Sequence, residues 1–270
     1  MKVRSWIILL LAVVVLGIWS CLKDQPSEHS DKVSLRFEPV TKVKTSQGCA
    51  QGEKDCAKVS IQYPKVIAGE PRVQEKINEV TEQKVLESMA IFSDHNQKLV
   101  VNLDSAMAEF IELYESYVTD TNFFTIPWEL KIQGKVVFQS DDMVCLRLDN
   151  SSYTGGAHPN HYTTILNFNT TTGSLLQLKD VVRDVNEFRN IAEGILLGKK
   201  EEKEELDQPL IELTSESFFM LPENFAIQED GILLFYNPYE ASDYANGALS
   251  FLISYDELKK ILAEDFRLSD

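Results

Sequence analysis

The residues with the widest chemical range lie in SSYTGGAHPNH, residues 151–161, where Tyr153, Gly155 and Gly156 lead into His158, Asn160 and His161. Two imidazoles three positions apart on a helix could approach one metal ion. Pro159 stands between these two and breaks the helix that would align them, so no metal site is expected. A nucleophilic serine needs an elbow such as GxSxG, and a nucleotide cofactor needs GxxxxGK or GxGxxG. The sequence contains none of these, and no cofactor is expected. With 42 acidic residues, carboxylates able to split a glycosidic bond are always to hand, Asp141, Asp142, Glu240 and Asp243 among them. No spacing marks a pair, so no catalytic residue is assigned. A peptidoglycan or glycan hydrolase whose carboxylate site is not located stays open as an alternative. His158 is read as a hydrogen-bonded side chain that stiffens a glycine loop.

Four cysteines divide by context. Cys49 and Cys56 bracket AQGEKD between two strand-like runs, a spacing that suits a disulfide across a hairpin loop in an oxidising compartment. Cys145, in the alternating run MVCLRL, reads as a small buried hydrophobe. Zinc would call for CxxC pairs or a partnered histidine, and neither occurs.

Cys21 belongs to a targeting segment. Lys2 and Arg4 precede an uncharged apolar run from Trp6 to Trp19, and Ser20 precedes Cys21. This is the layout of a signal peptide, shorter than the ~20 apolar residues of a membrane span. LGIWSC resembles a bacterial lipobox, with Ile18 and Trp19 departing from its usual form, and implies lipidation of Cys21. Residues 1–20 are therefore read as a signal peptide, and 21–32, polar and carrying Pro26, as a tether to a bacterial membrane, periplasmic or on the outer surface. A net charge of −16 and a pI near 4.7 argue against nucleic acid, which is bound by surplus Lys and Arg. They fit a solvated surface, or one that speeds encounter with a cationic partner.

The elements that must position these residues follow from periodicity. SLRFEPVTKV and AKVSIQYP read as strands. EPRVQEKINEVTEQKVLESM places Val73, Ile77, Val80 and Val85 near helical spacing behind Pro71. After Asp104, the residues Met107, Phe110, Ile111, Tyr114, Tyr117 and Val118 form a broad apolar stripe. The period then falls to two in WELKIQGKVVFQ, MVCLRLD and HYTTILNFN, with SLLQL as a short further strand. DVNEFRNIAEGILLGKKEEK returns to helix, and NFAIQEDGILLFYNP reads as a hairpin turning at Asp230-Gly231. ALSFLISY is a last strand before the helix ELKKILAEDF. The aggregate is an α+β fold: a largely antiparallel sheet with helices packed on one side, in two intimately packed subdomains.

The later segments carry a family resemblance. Tyr153, Gly155 to His158, Thr172-Gly173, Leu178 with Asp180, Asn224-Phe225, Asp230-Gly231, Pro238 to Glu240, and Tyr244-Ala245 with Gly247 form a pattern. It resembles the paired extracytoplasmic domains of RsiV-type anti-sigma factors, the first of which also precedes the catalytic domain of PdaC-type peptidoglycan deacetylases. The resemblance implies a first domain over 33–171 and a second over 172–268. It also implies envelope biology of the lysozyme-receptor kind, with c-type lysozyme or peptidoglycan as the partner. Deacetylation belongs to a separate domain with a TFDDG-like motif, which is absent from this sequence. Only MKVRS precedes the apolar run, so sigma-factor control is not expected.

Gly155 and Gly156 would allow close approach of a ligand, with His158, Pro159 and Asn160 at a strand end. NPYEASDYANG, with Tyr236 just before it, adds Tyr239, Tyr244, Glu240 and Asp243, aromatic area and acid suited to a basic protein. The expected partner surface is therefore Tyr153, Gly155, Gly156, His158, Asn160, Tyr239, Glu240 and Tyr244.

Overall fold

The structure, a computed structural model, describes residues 34–52, 55–92, 102–120, 126–202, 219–240, 247–264 and 266. The expected signal segment, lipobox and tether, with Cys21, lie outside them, as do Asp243 and Tyr244. Ser34–Asp270 forms one compact unit.

Alternating apolar and polar residues build β1 (Arg36–Thr45), β2 (Ala57–Ala68), β3 (Trp128–Gln139), β4 (Met143–Tyr153) and β5 (Asn160–Asn169) into one sheet in that order. Val59 and Ile61 on β2 and Leu130 and Ile132 on β3 are buried, while Lys58, Gln62, Glu129, Lys131 and Gln133 between them are exposed. Helices α1 (Pro71–Met89) and α2 (Leu103–Asp120) cover the apolar face and share one core with it.

Local chemistry sets the ends of both helices. Pro71 supplies the first helical position of α1, and the Glu70 carboxylate accepts from the Val73 N–H at 2.9 Å. Val80 packs half-buried against the core as expected, and beside it Thr81 is buried, its hydroxyl donating to the Ile77 carbonyl at 2.7 Å. Asn102 caps α2 by accepting from the Ser105 N–H, and Asp104 instead pairs with Lys42 on β1 at 2.7 Å. Tyr117, expected within the apolar stripe, is 40% exposed.

The antiparallel expectation holds for β1–β2, β3–β4 and β4–β5. The exception is β2 with β3, which run parallel because the connection through α1 and α2 returns the chain to the same end of the sheet. Nor is there one sheet: β6 (Asn224–Ile227), β7 (Gly231–Tyr236) and β8 (Leu249–Ser254) form a second, antiparallel one. Helix α3 (Val185–Glu202), capped by Asp184, packs Phe188, Ala192 and Leu196 into a second core with Ile232, Leu234, Phe251 and Ile253.

Three expectations are corrected. SLLQL forms only a bridge from Leu175 to Phe168 before a helical turn at Leu178–Val181. The closing helix is a single turn, Tyr255–Leu258, held by the Ser254–Glu257 capping box. Gly231 begins β7 rather than forming the turn; a Cβ there would collide with the Ile253 carbonyl, so close strand approach is what requires glycine.

Cys49 and Cys56 are bonded as their spacing predicts. Cys145 is free and buried, its thiol pushed up to about 12 chiefly by burial.

The two sheets meet edge to edge through asparagine side chains. From the second sheet, Asn224 Oδ1 accepts from the Ile165 N–H at 2.8 Å and Asn237 Oδ1 from the Thr163 N–H at 2.7 Å. Both Nδ2 groups donate to the Thr163 carbonyl at 3.0 Å. In the reverse direction, Asn167 on β5 donates to the Phe225 carbonyl and accepts from the Ile227 N–H. Each primary amide offers a donor and an acceptor on one group, as a peptide does, so the three satisfy an edge that would otherwise be buried with unpaired backbone. All three asparagines are buried.

Candidate functional site

The junction fixes the first half of β5, and the residues singled out by the sequence lie around it. In the β4–β5 loop, Gly155 has φ +102° and Gly156 φ +106°. A Cβ on Gly155 would collide with Ile126 Cδ1, whereas one on Gly156 would meet open space. The Tyr153 hydroxyl donates to the Gly156 carbonyl at 3.3 Å, closing the loop on itself. His158 is exposed, its Nδ1 3.1 Å from the Pro159 carbonyl. Asn160 begins β5 opposite Ser152.

Asn237 ties the second segment to β5 and opens a four-residue turn. The Glu240 N–H donates to the Asn237 carbonyl at 3.0 Å, and Glu240 Oε2 accepts from the Asn237 N–H at 2.8 Å. Between them Pro238 precedes Tyr239, which has φ +72° and is 66% exposed. A proline followed by a positive φ is the pattern of a type II turn, whose third position glycine normally occupies. A tyrosine there carries backbone strain, and the reciprocal Asn237–Glu240 bonds hold it.

Two clefts flank this half of β5. One, of about 650 Å³, is walled by the end of α1 (Lys84, Glu87), by Asn160 and Tyr162 on β5, and by Leu175 and Glu223. The other, of about 510 Å³, lies on the opposite face between Arg147, Asp149 and His161 on one side and Phe235 and Pro238 on the other. The basic groups beside them are engaged. Lys84 pairs with Glu87, and Arg147 pairs with Asp149 and lies 4.7 Å from the centre of the Phe235 ring. Partial burial first, then the charges of Glu240 and Glu223, hold the Tyr162 phenol above its ordinary value. Tyr162 is 46% exposed, so an accessible ring stands in the field of two carboxylates.

The expected residues thus separate into groups. Asn160 and Glu240 come together around Tyr162, and Tyr239 tops the turn beside them. Tyr153, Gly155 and Gly156 shape the neighbouring loop from which His158 projects. Tyr236, read from the sequence as a surface tyrosine, is instead core: it is 2% exposed and its hydroxyl donates to the Met220 carbonyl at 2.9 Å. Sequence reading missed Tyr162, Glu223 and the clamp residue Asn237. Tyr162 follows the loop in an alternating strand, and that alternation alone could have placed it opposite the Thr163 face. Among the described residues, no group of three or more His, Cys, Asp or Glu side chains is arranged to hold a metal ion. Exposed phenol rings, carboxylates and amides lie along this part of β5 and the turn beside it.

Two family models match separate parts of the chain. Residues 50–161 match the family model described as Deacetylase PdaC, and residues 178–256 match a family of proteins of unknown function, DUF3298. The chain is similar to the crystal structure of a DUF3298 family protein from Pseudomonas aeruginosa PAO1, with TM-score 0.62 and 20% identity over 85% of this chain and 95% of that one. It is also similar to the crystal structure of a DUF3298 family member from Bacteroides fragilis NCTC 9343, with TM-score 0.66 and 17% identity over 87% and 96% of the two chains. At these identities the likeness is one of fold. No curated protein matches the chain.

Proposed function

The chain is a PdaC/DUF3298 domain protein, and from that pairing and the geometry of its junction we propose that it is a non-catalytic binding module of the bacterial cell envelope. It is exported, lipid-anchored at Cys21, and captures a basic muramidase of the c-type lysozyme class. The observation that carries this reading is the strained, exposed Tyr239, clamped by Asn237 and Glu240 beside Tyr162 and Glu223. Strain of this kind persists where the surroundings over-determine it, commonly at binding sites. Exposed tyrosines give rigid contact area, and carboxylates on a chain of net charge −16 steer a cationic partner inward.

The test mixes residues 34–270, the compact unit that contains both cores, with c-type lysozyme and separately with insoluble peptidoglycan. Complex formation and release of soluble wall fragments are read together. The proposal expects a salt-sensitive complex with lysozyme and no fragment release by the protein alone. Release of fragments would establish a hydrolase, and sedimentation with peptidoglycan but not with lysozyme would move the partner to the wall itself.

A further inference from the structure

The face of the five-stranded sheet opposite α1 and α2 has a character unlike the rest of this acidic chain. Its outward side chains are set by register. Ser60 on β2 lies beside Lys131 on β3, which is followed across the sheet by Ser151 and His161. The adjacent row runs through Gln62, Gln133, Asp149 and Thr163. Lys58 flanks Glu129 at one end, and Lys135 flanks Arg147 at the other. Lys58, Lys131, Lys135, Gln62 and Gln133 are all exposed. Arg147 and Asp149 neutralise each other, and among the described residues the three lysines form no ion pair. Glu129 offsets one of the lysines, and the face keeps a positive surplus on a molecule of net charge −16.

We propose that this sheet face is a second binding surface, for a carboxylate-bearing polysaccharide. Lysines at intervals along and across the strands match repeated carboxylates, and Gln62, Gln133, Ser60 and Ser151 between them supply neutral donors and acceptors for hydroxyl groups. Strand neighbours ~4.8 Å apart present these groups as a regular lattice. At the β5 side the second sheet rises as a wall through Phe235 and Pro238, leaving the cleft of about 510 Å³ that His161 lines. A polymer end fits such a corner, and a planar bilayer does not enter it. Tyr162 of the muramidase site also lines this corner, but the three lysines lie apart from that site's tyrosines and carboxylates, so reversing them tests this reading without altering the other.

The test passes residues 34–270 over immobilised polygalacturonate, with dextran as the neutral matrix, at low ionic strength, where charges act over ~30 Å. Retention on polygalacturonate and not on dextran is expected. Lys58→Glu/Lys131→Glu/Lys135→Glu should weaken it by about tenfold or more. A second triple reversal with the same net charge, Lys44→Glu/Lys179→Glu/Lys259→Glu, alters exposed lysines elsewhere and should leave retention nearly intact. Equal loss in the two triple variants would overturn the proposal, as would absence of retention. Preference for phosphatidylglycerol vesicles over polygalacturonate would overturn it too, by assigning the face to a membrane.

Discussion

The side-chain amide of Asn237 pairs with the backbone of Thr163 as a neighbouring strand would, accepting from its N–H at 2.7 Å and donating to its carbonyl at 3.0 Å. The same residue opens the turn that displays Tyr239. One buried asparagine therefore joins the two sheets and orients the proposed contact surface.

Asn237→Ala should leave the Thr163 N–H buried without an acceptor and destabilise the protein by about 1–3 kcal/mol. Asn224 shares the Thr163 carbonyl, so the Asn224→Ala/Asn237→Ala double variant should depart from additivity by about 0.5 kcal/mol or more. Urea unfolding measures both quantities. Full additivity would mean that the two amides act independently.

The two loop glycines are required for different reasons. Gly156→Ala meets only the penalty of a positive φ, roughly 1–3 kcal/mol. Gly155→Ala adds a collision with Ile126, so it should lower the melting temperature further. Equal melting temperatures for the two variants would argue that Ile126 moves aside freely.

Buried tyrosines predict alkaline unfolding. Burial first, then the charge and hydrogen bond of Glu82, push Tyr63 up from 10.0 to about 12. Burial raises Tyr236, with Glu240 adding to it, and burial raises Tyr255. A phenol whose pKa is higher in the folded state favours folding fully below its unfolded value of 10.0, and that contribution is lost as pH rises through the folded value. Stability should therefore hold below pH 10 and fall steadily towards 12, with tyrosinate absorbance of these groups appearing together with unfolding. Complete tyrosine ionisation in a still-folded protein would contradict the burial.

Much of this architecture was legible in local pattern. The run WELKIQGKVVFQ became β3 residue for residue, because period-two burial on a half-exposed sheet leaves a direct trace in the sequence. Pro71 marked the start of α1, and the short spacing of Cys49 and Cys56 marked their bond. Alternation does not name a strand's neighbour, so the parallel β2–β3 pair was hidden. The asparagine junction was hidden for a related reason: an amide in a strand reads as a weak strand former until the edge it satisfies is known. Tyr239 was expected at the surface, but the turn that strains it carried no signal, because it departs from glycine at the position where glycine is the cue.

Tyr239→Gly tests whether Tyr239 is held in a strained conformation for the sake of contact. Glycine removes the cost of the positive φ, so the variant should be more stable than the parent by roughly 0.5–1 kcal/mol. The same variant removes the exposed ring and should weaken binding of c-type lysozyme by roughly 2 kcal/mol or more, as loss of an interface anchor does. Calorimetric titration of residues 34–270 and of this variant, with thermal unfolding of both, reads the two effects on one pair of proteins. A more stable protein that binds less tightly is the predicted result; unchanged affinity, or no binding by the parent at tens of micromolar lysozyme in low salt, would contradict the claim.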